Sequence, residues 1–220
     1  MQEIFARVGK KYGYDDVKAD FTPFKDFKVK WMRSYKWINF DVSDYLLGAP
    51  AEVLESIAET LFKKIRNEDG AEYSKEVCDW LTSAEFIEKN QQIYMRRCRG
   101  MSFTSKGKKH DLAESYDRLV EAGLVERDAD IEFRWVFMGT QRQVGHSSVL
   151  MKVVAVNDRL DDAGITEELL DYAVYTQVAH VGLGFNATGR NRAGEYNAKL
   201  NAYPDRERLE AELMDLGFTI

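Results

Sequence analysis

Apolar residues recur along this chain with two different periods, and the alternation between the periods predicts its elements. In FKVKWMR (27–33) and KWINFDV (36–42) apolar and polar residues alternate. A period of two marks a half-buried strand, so these segments predict a hairpin joined at Ser34-Tyr35. After Gly48 and Pro50 the period lengthens. Val53, Leu54, Ile57, Leu61, Phe62 and Ile65 recur at three- and four-residue steps and leave a charged outer face, which predicts an amphipathic helix. Helical periodicity returns in SKEVCDWL, in SAEFIEKNQQIYMRR with Ser83 as a candidate cap, and in DLAESYDRLVEAG with Asp111 as cap and Gly123 as stop. Two runs rich in Val, Phe and Trp, IEFRWVFM (131–138) and SVLMKVVAVND (148–158), predict strands separated by a polar turn, GTQRQVGHS. ITEELLDYAVYTQVAHVG then predicts a helix beginning at Thr166, with Glu167 and Glu168 where the helix dipole favours negative charge. EYNAKLNAY and DRERLEAELMDLG predict two closing helices, and residues 1–26 read as an irregular arm or a short helix. No internal repeat is visible. Strands and helices in separate blocks predict the α+β class.

Composition narrows the classes of function. The chain has 220 residues, 45% apolar and 31% charged, the balance of a globular, soluble protein. A net charge of −6 argues against a globally basic nucleic-acid protein but leaves local patches open. Cys78 and Cys98 cannot build a disulfide framework. The N-terminal stretch lacks the apolar core of a signal peptide, and no window approaches the roughly 18 apolar residues of a membrane span. The expectation is a cytoplasmic protein with no membrane association. Trp31, Trp37, Trp80 and Trp135 are assigned to the core, and GLGFNATG, which follows a helix, is read as a cap and connection rather than a phosphate loop.

Several segments in order resemble the SprT-like and YgjP-like zinc metallopeptidases of the zincin class. NFDVSDYLLGAPAEVLESIAETLF is similar to the family's early strand and first helix, and GKKHDLAESYDRLVEAGL to the helix before its sheet. FRWVFMGTQRQVGHSSVLMKVVAVNDRLDDAGITEELLDYAVYTQVAHVGL is similar to the core that ends in the metal-binding helix, and NRAGEYNAKLNAYPDRERLEAEL to the tail. The resemblance implies a zincin-like domain over residues 27–220, preceded by an arm over 1–26, with a small, mostly antiparallel sheet packed against several helices.

Active members carry HExxH on that helix and a third His in the tail. The matching positions here hold Thr176 for the first His, Gln177 for the Glu, His180 for the second His and Arg192 for the third. Catalytic zinc takes three protein ligands and keeps a fourth position for water. Residues at i and i+4 share a helix face, so Thr176 and His180 are well spaced, but a hydroxyl is a poor zinc donor. Gln177 cannot accept a proton from water, and Arg192 brings a fixed positive charge to the place of a cation. The resemblance therefore implies no catalytic residues, no zinc and a binding or scaffolding role with a protein partner. His110 or His146 rebuilding a site with His180 is one alternative, which would make the chain a divergent zinc peptidase. Nucleic-acid association is the other: MRRCRGMSFTSKGKKH (95–110) holds Arg96, Arg97, Arg99, Lys106, Lys108 and Lys109 without an acid, with Tyr94 and Phe103 as stacking surfaces.

Overall fold

The alternating hairpin forms where its pattern places it, and the first half of the chain is built around it. A computed structural model describes residues 1–219. Helix α1 (Gln2–Lys11) leads into strand β1 (Asp16–Thr22), followed by β2 (Val29–Arg33), β3 (Trp37–Ser43), a 3-10 turn (Asp44–Leu46) and helix α2 (Ala51–Arg66). The strands lie in the order β1-β3-β2, with β1 parallel and β2 antiparallel to β3. Residues of even number in β3, Ile38, Phe40 and Val42, are buried, as the period of two requires. The ring of Phe40 meets Phe5 of α1 at 5.2 Å and Phe62 of α2 at 5.3 Å, both edge to face. Gly9 lies where α1 crosses this layer, and a Cβ there would come within 2.5 Å of Val17 and 2.9 Å of Phe62. The outer margin of β1 is closed by a side chain: Gln2 Nε2 donates to Val17 O at 2.7 Å, and Ala19 N–H donates to Gln2 Oε1 at 2.7 Å.

The second half repeats the plan. After α3 (Lys75–Leu81) and α4 (Ala84–Arg97) come α5 (Leu112–Glu121), β4 (Glu132–Val136), β5 (Gly145–Ser148), β6 (Val153–Asn157), a 3-10 turn (Asp158–Leu160), α6 (Glu167–Val181), α7 (Ala193–Leu200) and α8 (Arg206–Asp215). The strand order is β4-β6-β5, with β4 parallel and β5 antiparallel to β6. Thus α1-β1-β2-β3-α2 and α5-β4-β5-β6-α6 share element order, pairing sense and the 3-10 turn after the central strand. The chain divides into two compact units along this repeat, residues 1–86 with 185–190, and residues 87–184 with 191–220.

Three expectations change. The sheet expected as single and mostly antiparallel is instead two three-stranded mixed sheets within an α+β chain. Residues 1–26, expected as an irregular arm or a short helix, supply helix α1 and also strand β1 to the first unit, and the stretch 27–220 contributes to both units. The strand expected over 148–158 begins at Val153; Gly145–Ser147, expected as turn, form strand β5 together with Ser148, and Val149–Lys152 form the bend, where Lys152 adopts a φ of 45°. The expected caps form: Phe86 N–H donates to Ser83 Oγ, Ala113 N–H to Asp111 Oδ1 and Leu169 N–H to Thr166 Oγ1. Among the described residues no helix is long and apolar enough to cross a membrane.

Candidate functional site

Helix α6 is the centre of the second unit because its sequence is apolar all round. Leu169, Leu170, Ala173, Val174, Val178 and Ala179 cover every face, and every residue from Leu169 to Ala179 is buried. One charge lies within that span. Asp171, 8% exposed, accepts from Ser115 Oγ at 2.6 Å, from Arg118 Nε at 2.8 Å and from Arg118 Nη2 at 2.6 Å, which ties α6 to α5. The hydrogen bond to Asp171 raises the Arg118 pKa, so the guanidinium stays charged throughout.

The last turns of α6 hold the positions that the sequence resemblance aligns with metal ligands. Thr176 is fully buried; its hydroxyl donates to Ala173 O at 2.7 Å and accepts from Gln177 Nε2 at 3.1 Å. Both side chains are thereby engaged along the helix. His180 lies at the exposed end, its Nδ1 2.9 Å from Ser147 Oγ on β5. Burial lowers the pKa of its imidazole below the ordinary histidine value. Tyr196 of α7 stands edge-on to His180, ring centres 6.0 Å apart, and its hydroxyl donates to Thr176 O at 3.2 Å. Arg192, one turn before Tyr196, donates to Glu195 Oε2 through Nε and Nη2, and to Gly184 O through Nη1.

These residues do not fit a zinc ion. Thr176 Oγ1 is occupied on both sides, Arg192 is a paired cation, and His180 is the one imidazole of the set. Neither alternative histidine joins it. Ser147 faces α6, so its strand neighbour His146 points to the opposite face of the sheet. His110 Nε2 is bound to Asp162 O at 3.0 Å in the loop before α5. Among the described residues no group of three or more His, Cys, Asp or Glu side chains is placed to hold a metal ion. Helical spacing puts Thr176 and His180 on one turn of α6 but gives no sign of Ser147, which lies in a segment that reads as a polar turn. The alternation of small and polar residues in GHSS is the available signal.

The basic stretch is ordered by one carboxylate. Asp161 accepts the N–H groups of Lys108, Lys109 and His110 at 2.5, 2.8 and 3.0 Å. Burial opposes its charge, yet the three N–H groups prevail and hold it below the usual carboxylate range. Gly107 permits this approach, since a Cβ there would lie 2.5 Å from the Asp161 carboxyl. Upstream, Ser102 N–H donates to Trp135 O at 2.8 Å and Phe137 N–H to Gly100 O at 2.9 Å, so the segment lies along the end of β4. Phe103 is 97% and Phe137 69% exposed, and among the described residues Arg99, Lys106, Lys108 and Lys109 enter no ion pair. Arg96 Nε donates to Gln92 O at the end of α4, and Tyr94, expected as a stacking surface, is buried. Among the described residues Cys78 and Cys98 form no disulfide.

No family model matches the chain, and no curated protein matches it. Among solved structures, the chain is similar to the crystal structure of the metallopeptidase zymogen of Methanocaldococcus jannaschii jannalysin, at 15% identity, covering 52% of this chain and 96% of that one, with a TM-score of 0.35.

Proposed function

We propose that the second unit is a binding module built on a peptidase-like helix that has given up hydrolysis, and that its partner is a protein. The observation that supports this is the burial of Thr176 and Gln177, with the Thr176 hydroxyl bonded to Ala173 O and to the Gln177 amide nitrogen. A hydroxyl and an amide so placed supply neither a strong metal donor nor a base for water. What remains accessible at the helix end is the His180–Ser147 pair, a polar step a partner can read by hydrogen bonds. Metal analysis of protein purified without chelator tests the reading. The expected result is zinc far below one ion per chain and no cleavage of unstructured peptides. Near-stoichiometric zinc that disappears in His180→Ala would sink it.

A second reading rests on the exposed rings of Phe103 and Phe137 beside the unpaired cations of the 99–109 loop. Aromatic faces with flanking cations suit the bases and phosphates of a single strand. Titration with labelled RNA and DNA at two salt concentrations checks it: binding should weaken with salt and fall when Arg99, Lys106, Lys108 and Lys109 are replaced. Salt-independent or absent binding eliminates this reading.

A further inference from the structure

The two margins of the first unit's sheet are treated differently, and the difference identifies an interaction surface. On β1 two outward peptide groups, Val17 O and Ala19 N–H, are taken up by Gln2. On β2 nothing equivalent occurs. The β2–β3 ladder is anchored by Ser34 N–H to Trp37 O and by Ser43 N–H to Lys28 O. In an antiparallel pair the inward and outward residues alternate, so the peptide groups of Val29, Trp31 and Arg33 face away from β3. Among the described residues no backbone or side chain meets them there. An open strand margin is a template for another strand, and proteins ordinarily blunt it.

The side chains along this margin select among possible strands. Trp31 is 45% and Met32 64% exposed, on opposite faces of the ribbon, which overturns the core assignment for Trp31; Trp37, 36% exposed, joins it. Lys28, Lys30 and Arg33 are exposed, and among the described residues none enters an ion pair. Lys28 and Lys30 hold their ammonium groups 4.8 and 5.4 Å from the centre of the Phe24 ring, and Arg33 Nη1 reaches Tyr14 Oη at 3.4 Å. Two cations on this short strand and a third, Lys28, immediately before it, none in an ion pair among the described residues, repel a second copy of the same strand laid against it. They attract an acidic one, on a chain whose net charge is otherwise negative.

We infer that β2 is a docking edge for an extended acidic segment of a partner protein, which adds a fourth strand to the sheet. The strand's carboxylates meet Lys28, Lys30 and Arg33, its apolar side chains lie along Trp31 and Met32, and its peptide groups complete those of Val29, Trp31 and Arg33. This edge belongs to the first unit and the end of α6 to the second, so the metal measurement and the peptide test succeed or fail independently.

The test uses the intact chain and two labelled decapeptides, one alternating Glu and Thr, the other Lys and Thr. The acidic peptide is expected to bind at least tenfold tighter, and the combined Lys28→Glu, Lys30→Glu and Arg33→Glu variant, whose changes are all at exposed positions, to lose at least tenfold. Amide exchange supplies a signature that charge attraction alone does not. The peptide should slow exchange at Val29, Trp31 and Arg33 and leave Lys30 and Met32, already bonded to β3, unchanged. Trp31→Pro, which removes one outward N–H, should weaken binding beyond Trp31→Ala. The inference is overturned by equal binding of the two peptides, by protection without the odd-residue pattern, by binding of oligothymidylate in preference to the peptide, or by concentration-dependent dimers that exclude it.

Discussion

Replacing Arg118 with Met probes the bridge that holds α5 against α6. The substitution keeps the aliphatic stem and removes the guanidinium, leaving Asp171 with one hydrogen bond, from Ser115. Breaking a buried ion pair by removing one partner costs about 3–5 kcal/mol when the survivor is fully enclosed. Here 32% of the Arg118 side chain and 12% of the Asp171 side chain are exposed, so water reaches the vacated space. With that screening and the surviving Ser115 bond, the expected loss is about 2–3 kcal/mol. Urea titration, followed by amide exchange at Leu170 and Ala173 within α6, reads the second unit specifically. The double variant Arg118→Met with Asp171→Leu removes both charges and should recover to within about 1 kcal/mol of the original. A loss below about 0.5 kcal/mol in the single variant, or a double variant worse than the single, would refute the claim that the unpaired carboxylate carries the cost.

Other expectations follow from local geometry. Gly9→Ala gains about 1 kcal/mol of helix propensity but forces a methyl against Val17 and Phe62, so a net loss of about 1–2 kcal/mol is expected, and a raised melting temperature would contradict it. Asp161 has a depressed folded pKa, so its contribution is present above the unfolded carboxylate value of about 3.9 and is lost as pH falls through the folded value. Amide exchange at Lys108 and Lys109 should accelerate over that acidic range beyond the intrinsic trend, and an unchanged ratio would count against the assignment. His180 has a lowered folded pKa, so its neutral form is favoured; that contribution is full above about pH 6.5 and declines as pH falls. An NMR titration of its ring with a midpoint at or above the ordinary histidine value would contradict burial as the dominant influence on it.

Periodicity carries most of the element order, because an amphipathic helix or a half-covered strand leaves its spacing in the sequence. It fails where apolar residues serve a bend. Val149, Leu150 and Met151 continue the hydrophobic run into β6, and only the backbone angle at Lys152 reveals the turn. The repeat is hidden for a related reason: the two halves share element order and strand pairing but not the burial of corresponding strands, and shared residues such as Asp44 and Asp158, which open the two 3-10 turns, are too sparse to show it. At the candidate site, helical spacing places Thr176 and His180 on one face, whereas Ser147, thirty-three positions before His180, comes from a pairing of strands that no local pattern encodes. Residue type alone assigns Trp31 and Trp37 inward, and hydrophobicity does not distinguish a covered sheet face from an open margin.

The Gln2 amide has a consequence for how many strands the first unit can recruit. A sheet with two free margins is bifunctional: each copy can accept a neighbour on either side, and chains of copies grow without limit. By occupying Val17 O and Ala19 N–H, one side-chain amide disfavours addition along β1 and biases that valency toward one. Growth beyond a single addition is then disfavoured, and the open strand on the other side is carried with the route to fibres obstructed.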